Sequence, residues 1–176
     1  CQPNAILVNP CRPWLGASAN GYPQVTATLQ PQTLYHEQRI GRQLDIVHAY
    51  NGPGVDLTAD ESFFATRQDT MLYLNWRPTL TWADADGSDD ATNASIDAMA
   101  ESIQALGSTK IFLALYHEPE KDVSGTPAGC TAAGTGTAGT TDDYRAMWRN
   151  VRARFDALGV TNVVWVMNYM SYAPYR

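Results

Sequence analysis

The chain has 176 residues, 44% of them hydrophobic, so it can bury one sizeable core, and a single domain spanning residues 1–176 is expected. Its formal net charge of −6 and pI near 4.9 offer no basic stripe to neutralise phosphates, which argues against a nucleic-acid partner. No apolar run reaches the roughly 18 residues needed to cross a bilayer, and no charged and then apolar leader opens the chain, so we expect an already processed, secreted or cell-surface protein.

Cys1, Cys11 and Cys130 form an odd set. Either Cys1 carries a lipid anchor as the acylated first residue of a lipoprotein and Cys11 pairs with Cys130, or Cys1 pairs with Cys11 and Cys130 is left over. Both readings suit an oxidising compartment.

In chain order, Trp14–Ala19 is a short apolar run ending at Asn20-Gly21 and reads as a buried strand entering a loop. Residues 34–43 read as a helix leading into a second strand, Leu44–Tyr50, which Asn51-Gly-Pro-Gly54 terminates. A short helix at 60–67 precedes the third strand, Met71–Trp76, stopped by Pro78. Ile96, Met99, Ala100, Ile103 and Leu106 repeat at helical spacing, with Ser95 available as a cap and Gly107 as a stop. Lys110–Tyr116 is nearly all apolar, as a strand covered on both faces must be. Residues 124–141 are almost wholly Gly, Ala, Thr and Ser and read as a long surface loop. Tyr144, Met147, Trp148, Val151, Phe155 and Leu158 mark the buried face of the next helix, with Asp142 and Asp143 at its N-terminus, and Asn162–Tyr169 is a fifth strand.

Five buried strands alternating with helices predict an α/β fold with a parallel sheet, either an open doubly wound sheet or a (β/α)₈ barrel. A barrel takes about 250 residues, so this chain would supply about the first five of its eight β/α units.

At the end of the fourth strand the apolar run switches to His117-Glu118-Pro119-Glu120, which puts ionisable groups at the C-terminal mouth where barrel enzymes build their sites. A carboxyl partly desolvated against Tyr116 would keep its proton and could donate it to a leaving oxygen. Tyr22, Trp76, Trp82, Tyr116, Asn168 and Tyr169 are candidates for substrate binding at strand ends, Trp76 being equally readable as core. His48 either faces the same mouth or is a buried structural histidine, and Glu120 is read as pointing into its loop. Asp84 and Asp86 begin a calcium-loop-like string but lack the glutamate at its twelfth position, and no His/Cys/Asp cluster has zinc spacing. Neither a metal nor another cofactor is expected.

The strand running into His117-Glu118, the later helix Tyr144-Arg-Ala-Met-Trp-Arg-Asn-Val151, the segment Gly159-Val-Thr-Asn-Val-Val-Trp-Val166 and the earlier Gly41-Arg-Gln-Leu-Asp-Ile-Val-His48 together resemble glycoside hydrolase family 26, from Trp14 to about Tyr169. The resemblance implies a (β/α)₈ TIM barrel and a β-mannanase-like hydrolase of β-1,4-linked polysaccharide, with Glu118 as acid/base and His117 orienting it or touching substrate. It also implies that the nucleophile lies on a seventh strand outside this sequence, so a C-terminal continuation or a partner chain would complete the barrel. The chain departs from the family motif in having Ala114-Leu-Tyr before His117 and Pro119-Glu120 after Glu118. A reading of another class is a non-catalytic glycan-binding or structural fragment that needs a partner chain.

Overall fold

The structure is a computed structural model that describes residues 5–6, 11–19, 28–125 and 134–170. β1 (Gly16–Ala17) leads to α1 (Leu29–Ile40) and β2 (Ile46–Asn51), then to α2 (Ala59–Thr66) and β3 (Met71–Trp76). A single 3₁₀ turn at Ala83–Ala85 precedes α3 (Asp90–Gln104) and β4 (Ile111–Leu115). The short α4 (Pro119–Asp122) and the two-residue strands β5 (Ser124–Gly125) and β6 (Gly134–Thr135) follow, and α5 (Thr141–Ala157) and β7 (Val163–Val166) complete the order.

Helix ends explain most departures from the sequence reading. α1 begins at Leu29, five residues earlier than expected, because Pro31 lies in the first turn, where the missing N–H has no partner to lose. It stops at Gly41, whose φ of 70° is the left-handed C-cap that glycine adopts without a Cβ penalty. α3 likewise starts ahead of Ser95, because the Asp89 carboxylate accepts the Thr92 N–H at 2.8 Å and caps the helix there. Thr58 with Glu61 and Thr140 with Asp143 form reciprocal capping boxes on α2 and α5.

The main sheet is parallel throughout, in the order β1-β2-β3-β4-β7, and a separate two-stranded ribbon joins β5 to β6. The fold is therefore the α/β architecture expected, and the five-stranded sheet is not closed into a barrel. Side chains alternate across the strands, so one face buries Val47, Ala49, Leu72, Leu74, Ile111 and Leu113 against Ile96, Met99, Ile103, Met147, Val151 and Phe155 of α3 and α5 and against Phe64 of α2. The other face carries His48, Tyr73 and Phe112 in one register row. The Gly/Thr/Ala-rich tract is less loose than a bare surface loop: Ser124 pairs with Thr135, Gly125 with Gly134, and the Ala138 carbonyl accepts the Trp82 N–H at 2.6 Å. Residues 126–133 lie outside the described set. So do Cys1 and Cys130, and with them the question of which cysteines pair.

Two buried carboxylates tie the N-terminal units together. Asp45 accepts from both Arg12 Nη atoms, from the Leu15 N–H at 2.8 Å and from Arg42, pinning the two-residue β1 beside β2. Glu37, 7% exposed on α1, accepts the Leu44 N–H at 2.8 Å and a two-pronged contact from Arg67 at 3.1 and 2.9 Å. Glu37→Ala would strand a buried N–H and a guanidinium at once, so it should lower unfolding free energy by about 2–4 kcal/mol, with Glu37→Gln losing less. Urea unfolding checks this, and an unchanged midpoint for Glu37→Ala would show the contacts to be incidental.

Candidate active site

β4 ends in a backbone conformation that its sequence does not announce. Tyr116 and Glu118 have φ of 56° and 52°, in the left-handed region that residues with a Cβ rarely enter, and His117 lies between them. Two main-chain bonds from neighbouring strands hold the turn: the Tyr116 N–H donates to Trp76 O at 2.9 Å and the Glu118 N–H to Asn168 O at 2.8 Å.

The left-handed step at Tyr116 breaks the alternation of the strand. Continued extension would put Tyr116 on the face of Phe112 and Ala114. Instead its ring turns into the helix-side core, 5.3 Å from Trp82 and 3% exposed, while His117 turns to the opposite face and meets Tyr50 edge-on at 5.3 Å. Glu118 emerges at the mouth of the sheet as the residue preceding α4, its side chain 38% exposed and 3.5 Å from Lys121 Nζ.

The sheet face opposite the helices, behind His117, carries aromatic and amide groups. His48 stacks between Tyr50 and Tyr73, with centroids at 4.4 and 4.7 Å, and its Nε2 lies 2.6 Å from Asn75 Nδ2. As that amide donates, the imidazole accepts and carries its proton on Nδ1. Burial, and secondarily the nearby His117, lowers the His48 pKa to about 4. The His117 pKa is lowered as well, first by burial and then by Arg77. Asn168 offers its carbonyl to Glu118 and its amide to Tyr73 Oη at 3.4 Å. Two buried polar atoms here, Asn75 Oδ1 and His117 Nδ1, have no hydrogen-bond partner among the described residues.

The structure therefore corrects three of the proposed substrate contacts. Trp76 is 1% exposed and packs 6.2 Å from Phe155 in the core. Trp82, also 1% exposed, is enclosed by Tyr116 and Tyr144. Tyr116, 3% exposed, faces the same cluster. Asn168 is half-buried beside the mouth, Tyr169 is 48% exposed, and Tyr22 falls outside the described residues. Sequence reading left His48 open and passed over Tyr50, Tyr73, Asn75 and Arg77. The first three of these could have been found from period-2 alternation with His48 once the register was known. A groove of about 620 Å³ between the loops after β2 and β3, lined by Pro53, Pro78, Leu80 and Asp89 among others, contains none of the predicted site residues.

No family model matches the chain. It is 29% identical over 134 residues to Endoglucanase H of Acetivibrio thermocellus, an alignment covering 73% of this chain and 14% of that protein. Its fold is similar to part of that of a ruminal GH26 endo-β-1,4-mannanase, with a TM-score of 0.63 at 14% identity over 92% of this chain and 41% of the other. The chain thus spans less than half the length of either protein.

A ring held neutral by burial makes a measurable prediction. With a folded pKa near 4 against 6.5 for an ordinary histidine, His48 stays uncharged in the native protein while the unfolded chain takes up a proton. Its contribution to stability is therefore largest above pH 6.5 and declines as pH falls from 6.5 to 4. NMR titration of the His48 ring should give a midpoint near 4, and a midpoint at or above 6.5 would contradict the buried, amide-paired ring.

Proposed function

We propose that the chain forms the first five β/α units of the catalytic barrel of a glycoside hydrolase that cleaves a β-1,4-linked polysaccharide, a mannan or related β-glycan, with retention. The observation that carries this reading is the presentation of Glu118: a half-exposed carboxyl at the C-terminal end of the fourth parallel strand, turned out of the sheet by its own left-handed backbone. The likenesses to an endoglucanase and to the fold of a mannanase support the class of reaction.

In this mechanism Glu118 donates its proton to the leaving glycosidic oxygen as a second carboxylate attacks C1. Glu118 then takes a proton from the water that hydrolyses the glycosyl-enzyme. The two carboxyls must stand about 5–5.5 Å apart. Glu120, in α4, is a poor second carboxylate because its Oε2 is buried, so we assign the nucleophile to a later strand outside this sequence. β7, partly exposed along its length, is where the next unit would pair. A neutral His117 beside the acid, its Nδ1 without a partner among the described residues, is suited to bond a sugar hydroxyl or the incoming carboxylate. Asn168 and Tyr169 would border the substrate on the β7 side. An extracellular location belongs to the same proposal, since a polymer of this kind cannot cross a membrane.

In the whole protein, Glu118→Gln should lower turnover of β-1,4-mannan or β-1,4-glucan by about 10²–10⁴-fold while glycan binding persists, because only the proton is removed. Reducing-sugar release and affinity electrophoresis report the two quantities, and proton NMR of the first product should show the anomer of the starting linkage. Undiminished turnover in Glu118→Gln would overturn the assignment. Binding without turnover in the unmodified protein would favour a non-catalytic glycan-binding fold.

A further inference from the structure

Arg77 follows β3 directly, and nothing in its local sequence distinguishes it. Its N–H donates to Asn51 O at 2.9 Å, which fixes the point from which its side chain departs. The guanidinium carbon lies 4.5 Å from the centroid of the Tyr116 ring, and Nη2 is 3.2 Å from Asp122 Oδ2. Both charged side chains are largely buried, at 29% and 24% exposure. Arg77 therefore grips the chain two residues before Glu118 and four residues after it; of the two left-handed residues, Tyr116 is itself gripped and Glu118 falls between the grips.

Such a conformation persists only where its surroundings hold it, at about 1–3 kcal/mol for each residue. The two main-chain bonds fix the positions of residues 116 and 118; the Tyr116 hydroxyl donates to Leu80 O at 3.4 Å and the Ala138 N–H to Asp122 O at 2.9 Å, which anchor the ring and α4 separately without joining them. The Lys121 contact with Glu118 is exposed, and pairs of that kind contribute little. An arginine can hold both, because its plane stacks on the tyrosine while its edge meets the carboxylate, which an ammonium group does less well.

We propose that Arg77 is a positioning residue for the acid step, clamping Tyr116 to Asp122 so that the Glu118 carboxyl stays on the scissile oxygen. This rests on the reading of Glu118 given above. Arg77 itself touches no reacting atom. Its neighbourhood to His117 adds to the effect of burial in keeping that imidazole neutral.

The test uses the leaving group. When the glycosidic C–O bond breaks, its electron pair goes to the departing oxygen. A sugar alkoxide needs the proton of Glu118 at that moment, whereas a dinitrophenolate departs without one. In the whole protein, Arg77→Met should lower kcat on polysaccharide by about 10–100-fold with KM within about threefold, and leave the pre-steady-state burst of dinitrophenolate from a dinitrophenyl β-oligosaccharide within about threefold. Arg77→Lys should recover part of the loss, and Asp122→Asn should reproduce a weaker form of it. Should Arg77→Met fail to fold by circular dichroism, these two milder variants carry the test. Equal losses on both substrates, or none on polysaccharide, would overturn the clamp. The Glu118→Gln variant separates the two ideas: if it lacked the same dependence on leaving group, the acid assignment would fall, whatever Arg77 does.

Discussion

A left-handed backbone costs an L-residue about 1–2 kcal/mol, and the segment 116–118 adopts it twice within three positions. The rest of the mouth is arranged around keeping that segment in place. Strand β3 supplies the Trp76 carbonyl, the end of β7 supplies the Asn168 carbonyl, and Arg77 reaches over Tyr116 to Asp122. Parallel pairing makes this possible, since it brings the C-terminal ends of β3, β4 and β7 to the same edge of the sheet. An antiparallel neighbour would have offered its opposite end.

The two faces of the sheet follow different physical rules. Toward the helices, Leu72, Leu74, Leu113 and Met147 are fully buried, and density and apolar area decide what fits. On the opposite face His48 pairs with Asn75 and Tyr73 with Asn168, and Asn75 Oδ1 and the nearby His117 Nδ1 lack partners among the described residues. Leaving a buried polar atom unmet costs about 1–3 kcal/mol, so a surface tuned for stability alone would avoid it. Among the described residues the unmet atoms are not confined to this face, since Trp82 Nε1 and Trp148 Nε1 are also buried without a partner on the helix side, and the carboxylates that stabilise the sheet, Asp45 and Glu37, lie among the N-terminal units.

The amino-acid sequence was sufficient to place the five main strands, the buried stripes of α3 and α5, and Glu118 at the end of the fourth strand. Each is a local pattern: an apolar run bounded by Gly, Pro or Asn, or an apolar residue every three to four positions. Helix starts were legible to within one turn or so, because Asp89 and Ser95, or Leu29 and Leu34, compete on similar local grounds until a hydrogen bond selects one. What only the tertiary structure decided is which way the residues at the mouth face. Alternation predicts a side chain's face only while the chain stays extended, and the turn at Tyr116 ended that, sending Tyr116 into the core beside Trp82 and His117 toward Tyr50. Arg77 and Asp122 are 45 residues apart. No spacing rule joins two charges at that separation, because the crossover between β3 and β4 brings them together and the sequence holds no local trace of their meeting.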